Sequence, residues 1–234
     1  MLLFNLDILF KDPWFFLVLV STTCLALLVA ITVHEFSHAL VAEGQGDHTA
    51  RALGRLSLNP LAHLDPMGTL LLLLVGFGWG KPVPVNPHNL RGGFKGGMAL
   101  VALAGPLSNV LTAAIFALPI RMGLLAWHSP FRYSGFAQMT PMWILADIIG
   151  IVIAYNLLLA AFNLLPVAPL DGFKVALGVL PRGIDASFSR LEQYGPGILL
   201  AMIGLRYFTE VDILWGVIGP VVRAMAYVTI GRPL

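Results

Sequence analysis

The sequence HEFSH, at residues 34–38, combines residue types that can bind a metal ion and move a proton. On an α-helix, positions four apart lie on the same face, so His34 and His38 can direct both imidazoles at one ion. Glu35 lies one step around the helix, where it can reach a water molecule at that ion. The pattern predicts zinc hydrolase chemistry. Zinc lowers the pKa of water to about 7, and the glutamate accepts the proton as the water attacks a carbonyl.

HEFSH stands at the end of a long apolar segment, PWFFLVLVSTTCLALLVAITV. An ionisable side chain inside a bilayer costs at least about 2.5–3.5 kcal/mol on insertion scales. The alternative interpretation is that each histidine only hydrogen-bonds to a neighbouring helix. We favour a metal site because membrane insertion opposes both histidines and the glutamate at once.

A tetrahedral catalytic zinc site needs a further protein ligand at a similar depth. Few acids lie within or beside the apolar segments, and the candidates are Asp147 and Asp171. Asp171 follows two helix-breaking prolines in NLLPVAPLDG and reaches the same membrane edge as His34, while Gly172 lets the backbone turn close to the site. The alternative role of Asp171 is to cap the following helix, and Asp147 is typical of an interfacial or paired acid.

The composition is that of a membrane protein. The chain of 234 residues is 58% hydrophobic and 11% charged, with a mean hydropathy of +0.84, whereas a soluble domain has about 25% charged residues. We therefore predict an all-α polytopic membrane protein that forms a single integral membrane domain over residues 1–234. The net charge of +2 does not indicate nucleic-acid binding, and a single cysteine, Cys24, excludes an intramolecular disulfide.

The apolar segments predict about five to six transmembrane helices. The spans are expected at about residues 13–43, 98–122 and 141–165, with weaker spans at 195–208 and 213–230. The run at 66–80 is short, and the prolines of KPVPVNPHNLR after it forbid a helix. This pair therefore predicts a re-entrant, partly extended (β-like) Pro-rich segment. With the N-terminus outside, ten of the 14 Lys and Arg residues lie on the inner side, as the positive-inside rule favours.

The chain resembles the site-2 protease family of intramembrane zinc metalloproteases, in its minimal prokaryotic form without a PDZ domain. The resemblance rests on HEFSH, KPVPVNPHNLR, AGPLSN and NLLPVAPLDGF, in that order along the chain. It covers about residues 13–180, the expected catalytic core, and leaves C-terminal helices at about 190–230. One departure is that Pro169 stands one place later than the second proline of this motif in many members, which leaves Asp171 unaffected.

The resemblance implies a role for each matching residue. His34, His38 and Asp171 would bind one zinc ion per chain, and Glu35 would be the general acid/base. Asn163 would be a further catalytic residue that faces the site and helps to hold the substrate or the developing oxyanion.

The resemblance also implies substrates and a location. The segment around residues 83–89 would offer an extended edge to an unwound substrate strand, because only an extended peptide exposes its carbonyls, and Asn86 and Asn89 would contribute to substrate binding. The expected partners are single-span membrane protein substrates and the lipid bilayer, with no nucleic acid. The expected location is a prokaryotic cell membrane, multi-pass, with the N-terminus outside.

Three alternatives differ in what they leave unexplained. A membrane metal transporter would use the histidines and Asp171 as an ion path, but Glu35 then has no role. A di-iron membrane desaturase or hydroxylase would cluster many histidines, and this chain has one pair among six. A catalytically inactive relative acting as a binding scaffold would normally have lost a ligand or the glutamate, and all are present. We therefore predict regulated intramembrane proteolysis.

Several other polar residues are expected to have structural or surface roles. His48, His63, His88 and His128 lie in loops and are predicted to be at the surface or the membrane interface. Asn109, in AGPLSN, is predicted to make an interhelical hydrogen bond rather than to take part in catalysis.

Overall fold

The structure is a computed structural model that describes residues 6–75, 78–127, 140–181, 183–209, 212–232 and 234. Within these ranges the chain is helical and has no β-strand, which confirms the predicted all-α class. The α-helices are α1 Leu6–Lys11, α2 Pro13–Gly44, α3 Thr49–Ala52, α4 Pro66–Val75, α5 Met98–Arg121, α6 Pro141–Asn163, α7 Asp171–Val179, α8 Ile184–Ser189, α9 Gly195–Phe208 and α10 Ile213–Thr229.

Helix α2 carries HEFSH and is long enough to cross a bilayer. It begins where the side chain of Asp12 accepts a hydrogen bond from the Phe15 amide, with Pro13 at the first helical position, where its missing N–H is not needed. The helix runs for 32 residues, or about 48 Å, which exceeds a hydrocarbon core of about 30 Å. Its C-terminal part therefore extends beyond one apolar thickness.

Among the residues that the structure describes, three helices are long and apolar enough to span a membrane. They are α2, α5 with the preceding turn (Gly93–Arg121), and α6. Helix α10 is apolar but has only 17 residues, and α9 has 14. The predicted count of five to six spans therefore stays a prediction.

The three long helices pack against one another through small side chains. Small residues let helix backbones approach closely, which is how apolar helices associate without a hydrophobic driving force. The fully buried alanines at these contacts include Ala30 and Ala39 of α2, Ala113 and Ala117 of α5, and Ala154 and Ala160 of α6. Large apolar residues point outward from the same helices, among them Leu25, Leu107, Leu111 and Ile115. The apolar exterior fits a lipid environment.

The chain just before α4 and the chain that follows it lie next to each other. Leu64 and Gly80 form an isolated antiparallel bridge, and the Lys81 amide donates to the His63 carbonyl at 2.8 Å. A Cβ at Gly68 would lie 2.1 Å from the Trp79 carbonyl oxygen, so only glycine allows the returning chain to pass this close. The ends of residues 64–80 are thus side by side.

The chain from Gly80 to α5 has little regular structure. No helix is present over residues 81–86, where prolines alternate with other residues, and Asn86 has an extended backbone. A 3₁₀ turn at Pro87–Asn89 and a π-helical turn at Gly93–Gly97 then lead into α5. We refer to residues 80–89 as the Pro-rich segment.

Candidate metal centre

The structure brings His34, His38 and Asp171 together. His34 Nε2 and His38 Nε2 lie 3.0 and 3.2 Å from the same oxygen, Oδ2 of Asp171. One ligand atom from each residue lies within 4.8 Å of the others, and all three side chains are largely buried. The histidines come from one face of α2, whereas Asp171 is the first residue of α7.

Hydrogen bonds at the far side of each imidazole decide which ring nitrogen carries the proton. His38 Nδ1 lies 2.7 Å from the Val101 carbonyl oxygen, which can only accept, so Nδ1 donates and Nε2 is the nitrogen that faces Asp171. His34 Nδ1 lies 2.7 Å from Oδ1 of Asn109. The Asn109 amide nitrogen donates to the Ala30 carbonyl, which fixes Oδ1 as the atom that faces His34. His34 Nδ1 is therefore also the donor.

The donor set fits a divalent metal ion. Two imidazole nitrogens and a carboxylate oxygen converge in a buried place, and this set of ligand atoms is one that a divalent metal ion such as zinc prefers. Burial by itself raises the pKa of the Asp171 carboxyl group, but hydrogen bonds and charge interactions with His34 and His38 lower it by more. Leu170 rather than Asp171 occupies the N-cap of α7, so the capping alternative for Asp171 does not hold.

Glycine residues bring the neighbouring helices into contact with the centre. A Cβ at Gly105 of α5 would lie 2.5 Å from His38 Nε2 and 2.6 Å from His34 Cε1. A Cβ at Gly172 would lie 2.2 Å from the Leu164 carbonyl oxygen, so glycine is needed for α7 to begin against the end of α6. Gly172 was expected from the sequence to allow this turn. The role of Gly105 was missed, and the only available signal was a small residue within an apolar helix.

Asn109 connects the ligand His34 to two other helices. Its side chain is fully buried, and its amide nitrogen donates to the Ala30 carbonyl and to Oδ1 of Asn156, each at 2.9 Å. Asn156 in turn donates to the Val152 carbonyl, which orients it as the acceptor. The predicted interhelical hydrogen bond is present, and it ends on a candidate metal ligand. Such partners behind a ligand commonly set metal affinity.

Glu35 contacts the Pro-rich segment. Its Oε2 accepts a hydrogen bond from the Val83 amide at 3.1 Å, and its side chain is half-buried. Glu35 directly follows His34 in the chain and is one step around helix α2 from it.

The three asparagines predicted as site residues make hydrogen bonds within the protein. Asn163 is the last residue of α6 and donates to the Leu159 carbonyl one turn earlier. Asn86 caps the 3₁₀ turn by accepting from the His88 amide, and the Asn89 amide nitrogen donates to Oδ1 of Asp47 at 3.0 Å. The catalytic role of Asn163 and the substrate-binding roles of Asn86 and Asn89 stay predictions.

Asp47 is a buried acid that sequence reasoning missed. It lies three residues beyond α2 and accepts hydrogen bonds from Thr49, from the Asn86 amide and from the Asn89 side chain. Burial alone would raise the pKa of Asp47, but these hydrogen bonds together lower it below its usual value. Asp47 therefore attaches the Pro-rich segment to the end of α2. An aspartate in a polar loop carries no sequence signal for such a role.

One histidine prediction was wrong. His63 was expected at the surface or interface but is fully buried, because the chain returning at Gly80 and Lys81 covers it, and its Nε2 lies 2.7 Å from the Ser57 carbonyl oxygen. His48 and His88 are exposed, as predicted. His128 lies outside the described residues.

The described part of the chain is helical and has three candidate membrane spans, which suggest association with a membrane. Two histidines near the end of the first span and an aspartate beside them form a candidate metal centre. No family model matches the chain, and no solved structure does. The chain is, however, 40% identical over 180 residues to "Putative zinc metalloprotease YwhC" of Bacillus subtilis, a match that covers 76% of this chain and 78% of that protein.

Two further relatives carry a related name. The chain is 32% identical over 186 residues to "Putative zinc metalloprotease Rip2" of Mycolicibacterium smegmatis, covering 75% of this chain and 64% of that protein. It is 28% identical over 185 residues to the Rip2 protein of Mycobacterium tuberculosis, covering 75% of this chain and 63% of that protein. The chain therefore belongs to the family of these zinc metalloproteases.

Proposed function

We propose that the protein is an intramembrane zinc metalloprotease of the site-2 type, which hydrolyses peptide bonds within or near transmembrane segments of substrate proteins. The observation that carries this proposal is the convergence of His34, His38 and Asp171 beside Glu35, on a helix apolar enough to cross a membrane. The names of the relatives support the protease activity and the zinc ion.

The depth of the centre supports cleavage inside or at the edge of the bilayer. His34 lies about 32 Å along α2 from Pro13, by the rise per residue of a helix, near the far edge of a hydrocarbon core of about 30 Å. With the N-terminus outside, this is the inner edge. A water-filled cavity must then reach the ligands, because hydrolysis consumes water.

The chemistry divides between the metal and the protein. Zinc held by His34, His38 and Asp171 would polarise the scissile carbonyl and lower the pKa of water. Glu35 would take the proton of the attacking water and pass it to the leaving nitrogen. Asn163 would donate an amide hydrogen toward the oxygen on which negative charge develops.

The Pro-rich segment would receive the substrate. A helical substrate hides its peptide bonds in its own hydrogen bonds, so the cleaved stretch must unwind and find new partners for its backbone. A segment without helix, over residues 81–86 and in contact with Glu35, supports this role. The pairing of Leu64 with Gly80 supports a re-entrant layout, because both ends of the excursion then lie on the same side. With α9 and α10, the layout would have five to six spans.

The experiment is to measure zinc content and cleavage of a single-span membrane substrate by the purified protein in detergent. Wild type is compared with Glu35→Gln, which keeps the metal ligands, and with Asp171→Ala, which removes one. We expect about one zinc per chain in wild type and Glu35→Gln, cleavage only in wild type, and loss of zinc in Asp171→Ala. Wild-type activity in Glu35→Gln would overturn the proposed mechanism, and full zinc occupancy in Asp171→Ala would overturn the ligand set. Protein without bound metal and without cleavage would favour a metal transporter instead.

A further inference from the structure

The backbone of the Pro-rich segment is hydrogen-bonded to the predicted general base. The Val83 amide donates to Oε2 of Glu35 at 3.1 Å, although the two residues are 48 positions apart in the chain. Glu35 has three rotatable side-chain torsions, and a half-buried carboxylate without a fixed donor would sample several positions. The Val83 amide removes that freedom.

The segment that carries Val83 is attached to the protein on both sides. Before Val83, Lys81 donates its amide to the His63 carbonyl at 2.8 Å, and its own carbonyl accepts from the buried Arg55 guanidinium. After Val83, the Asn86 amide donates to Oδ2 of the buried Asp47 at 2.7 Å. The position of the Val83 amide is thus set by two buried charged side chains that do not touch the ligands.

The close approach of the Pro-rich segment to α2 depends on the glycine at position 80. A Cβ at Gly80 would lie 3.1 Å from Ile31 Cγ2, 3.2 Å from the His63 carbonyl oxygen and 3.8 Å from Glu35 Oε1. A larger residue at this position would push the segment away from the helix that carries Glu35.

Val83 is the residue of this stretch whose backbone amide can donate a hydrogen bond to Glu35. Pro82 and Pro84 flank it and have no N–H, so they cannot donate to a carboxylate. The Lys81 amide donates to the His63 carbonyl, and the Val83 amide donates to Glu35. Between Lys81 and Val85 there is therefore one backbone donor, and it is bound to Glu35.

We propose that Val83 is a positioning residue whose backbone N–H holds the Glu35 carboxylate in place for proton transfer. The role in catalysis rests on the proposed function, since it assumes that Glu35 is the general base. The hydrogen bond couples the Pro-rich segment to the reacting groups. A displacement of that segment, by a substrate strand or by mutation, changes the orientation of Glu35 without touching a metal ligand.

Hydrogen exchange of the Val83 amide tests the contact without any assay of activity. Because its two neighbours are prolines, exchange at Val83 can be separated by mass spectrometry from that of other amides. We expect exchange at least about tenfold faster in Glu35→Ala than in wild type, and close to the wild-type rate in Glu35→Gln, whose amide oxygen still accepts. Equal rates in wild type and Glu35→Ala would overturn the proposal.

A comparison of the kinetics of Val83→Pro and Val83→Ala tests whether the Val83 N–H affects catalysis. Proline removes the N–H and places its ring Cδ toward Glu35, whereas alanine keeps the N–H and shortens the side chain. We expect kcat to be about tenfold to a hundredfold lower in Val83→Pro than in Val83→Ala, with KM within about twofold and equal zinc content. Equal kcat values, or a loss of zinc that accounts for the difference, would overturn the positioning role.

The two tests separate this proposal from the proposed function. If wild type binds zinc but cleaves nothing, the protease proposal fails while the exchange experiment still decides whether Val83 holds Glu35. If wild type cleaves and the two Val83 variants do not differ in kcat, the protease proposal stands and the positioning role fails. The exchange comparison uses no proline variant, so it also decides if Val83→Pro does not fold.

Discussion

Replacing Asn109 by leucine should weaken zinc binding although Asn109 is not a ligand. Leucine is similar in volume but removes the acceptor of His34 Nδ1 and both hydrogen bonds that the amide donates, to the Ala30 carbonyl and to Asn156. The His34 N–H is then left in a buried site without that partner, which costs about 1–3 kcal/mol. The ring also loses the contact that sets its orientation.

The expected loss of zinc affinity is of the same size as this energetic cost. Mutation of the partner behind a metal-binding histidine commonly reduces metal affinity about 10- to 100-fold, which corresponds to about 1.4–2.7 kcal/mol. The measurement is a competition titration in detergent, with zinc shared between the protein and a chromophoric chelator. We expect Asn109→Leu to raise the zinc dissociation constant by that factor.

Two matched variants identify the hydrogen bond responsible. Asn109→Asp keeps an acceptor for His34 and loses the donated bonds, so it should retain more affinity than Asn109→Leu. Asn156→Leu leaves the bond between His34 and Asn109 intact and should lower thermal stability with little effect on zinc affinity. If Asn109→Leu binds zinc as tightly as wild type, or if Asn156→Leu weakens zinc equally, then the reasoning about ligand orientation is refuted.

Three further predictions concern the surroundings of the centre. Gly105→Ala should abolish zinc binding, measured as metal content, because its Cβ would lie 2.5 Å from a ligand nitrogen, while Gly204→Ala, with open space around it, should bind normally. Arg55→Met should lower the free energy of unfolding by about 1–3 kcal/mol, because the Lys81 carbonyl of the Pro-rich segment loses its charged donor. The control Arg51→Met removes an exposed ion pair and should lower the free energy of unfolding by less than about 1 kcal/mol. Equal unfolding midpoints for the two variants would contradict this prediction. The lowered pKa of Asp47 means that its contribution to stability is present above the unfolded value of about 3.9 and is lost as pH falls through the lower folded value. Wild type should therefore lose more stability than Asp47→Asn in acid unfolding below about pH 4, and parallel curves for the two proteins would contradict the assignment.

Part of the site could be predicted because it depends on local geometry. His34 and His38 share a face in any helix, since the spacing of four residues nearly equals one turn. Asp171 was selected because prolines end α6 shortly before it and the layout of spans returns the chain to the depth of His34. In the folded chain it lies 3.0 Å from His34, which is 137 positions away. That argument used order and depth along the chain, not knowledge of the packing.

The rest of the site could not be predicted because it depends on which surfaces meet. Asn109 faces His34, and Gly105 lies against both imidazoles, only because α5 packs on α2 in one register. A shift of one helical turn would keep every apolar pattern in the sequence and place other residues there. His63 became buried for the same reason, since the chain returning at Gly80 covers it.

The sequence by itself therefore determined the membrane character, the all-helical class and the residue types of a metal centre. These follow from composition, from the length of apolar segments and from the 3.6-residue period, which are properties of the chain alone. The tertiary structure decided which imidazole nitrogens face the metal centre, which helix packs against the ligands and which backbone amide binds Glu35. Those contacts join residues that are distant in sequence, and only close packing of particular side chains in one arrangement brings them together.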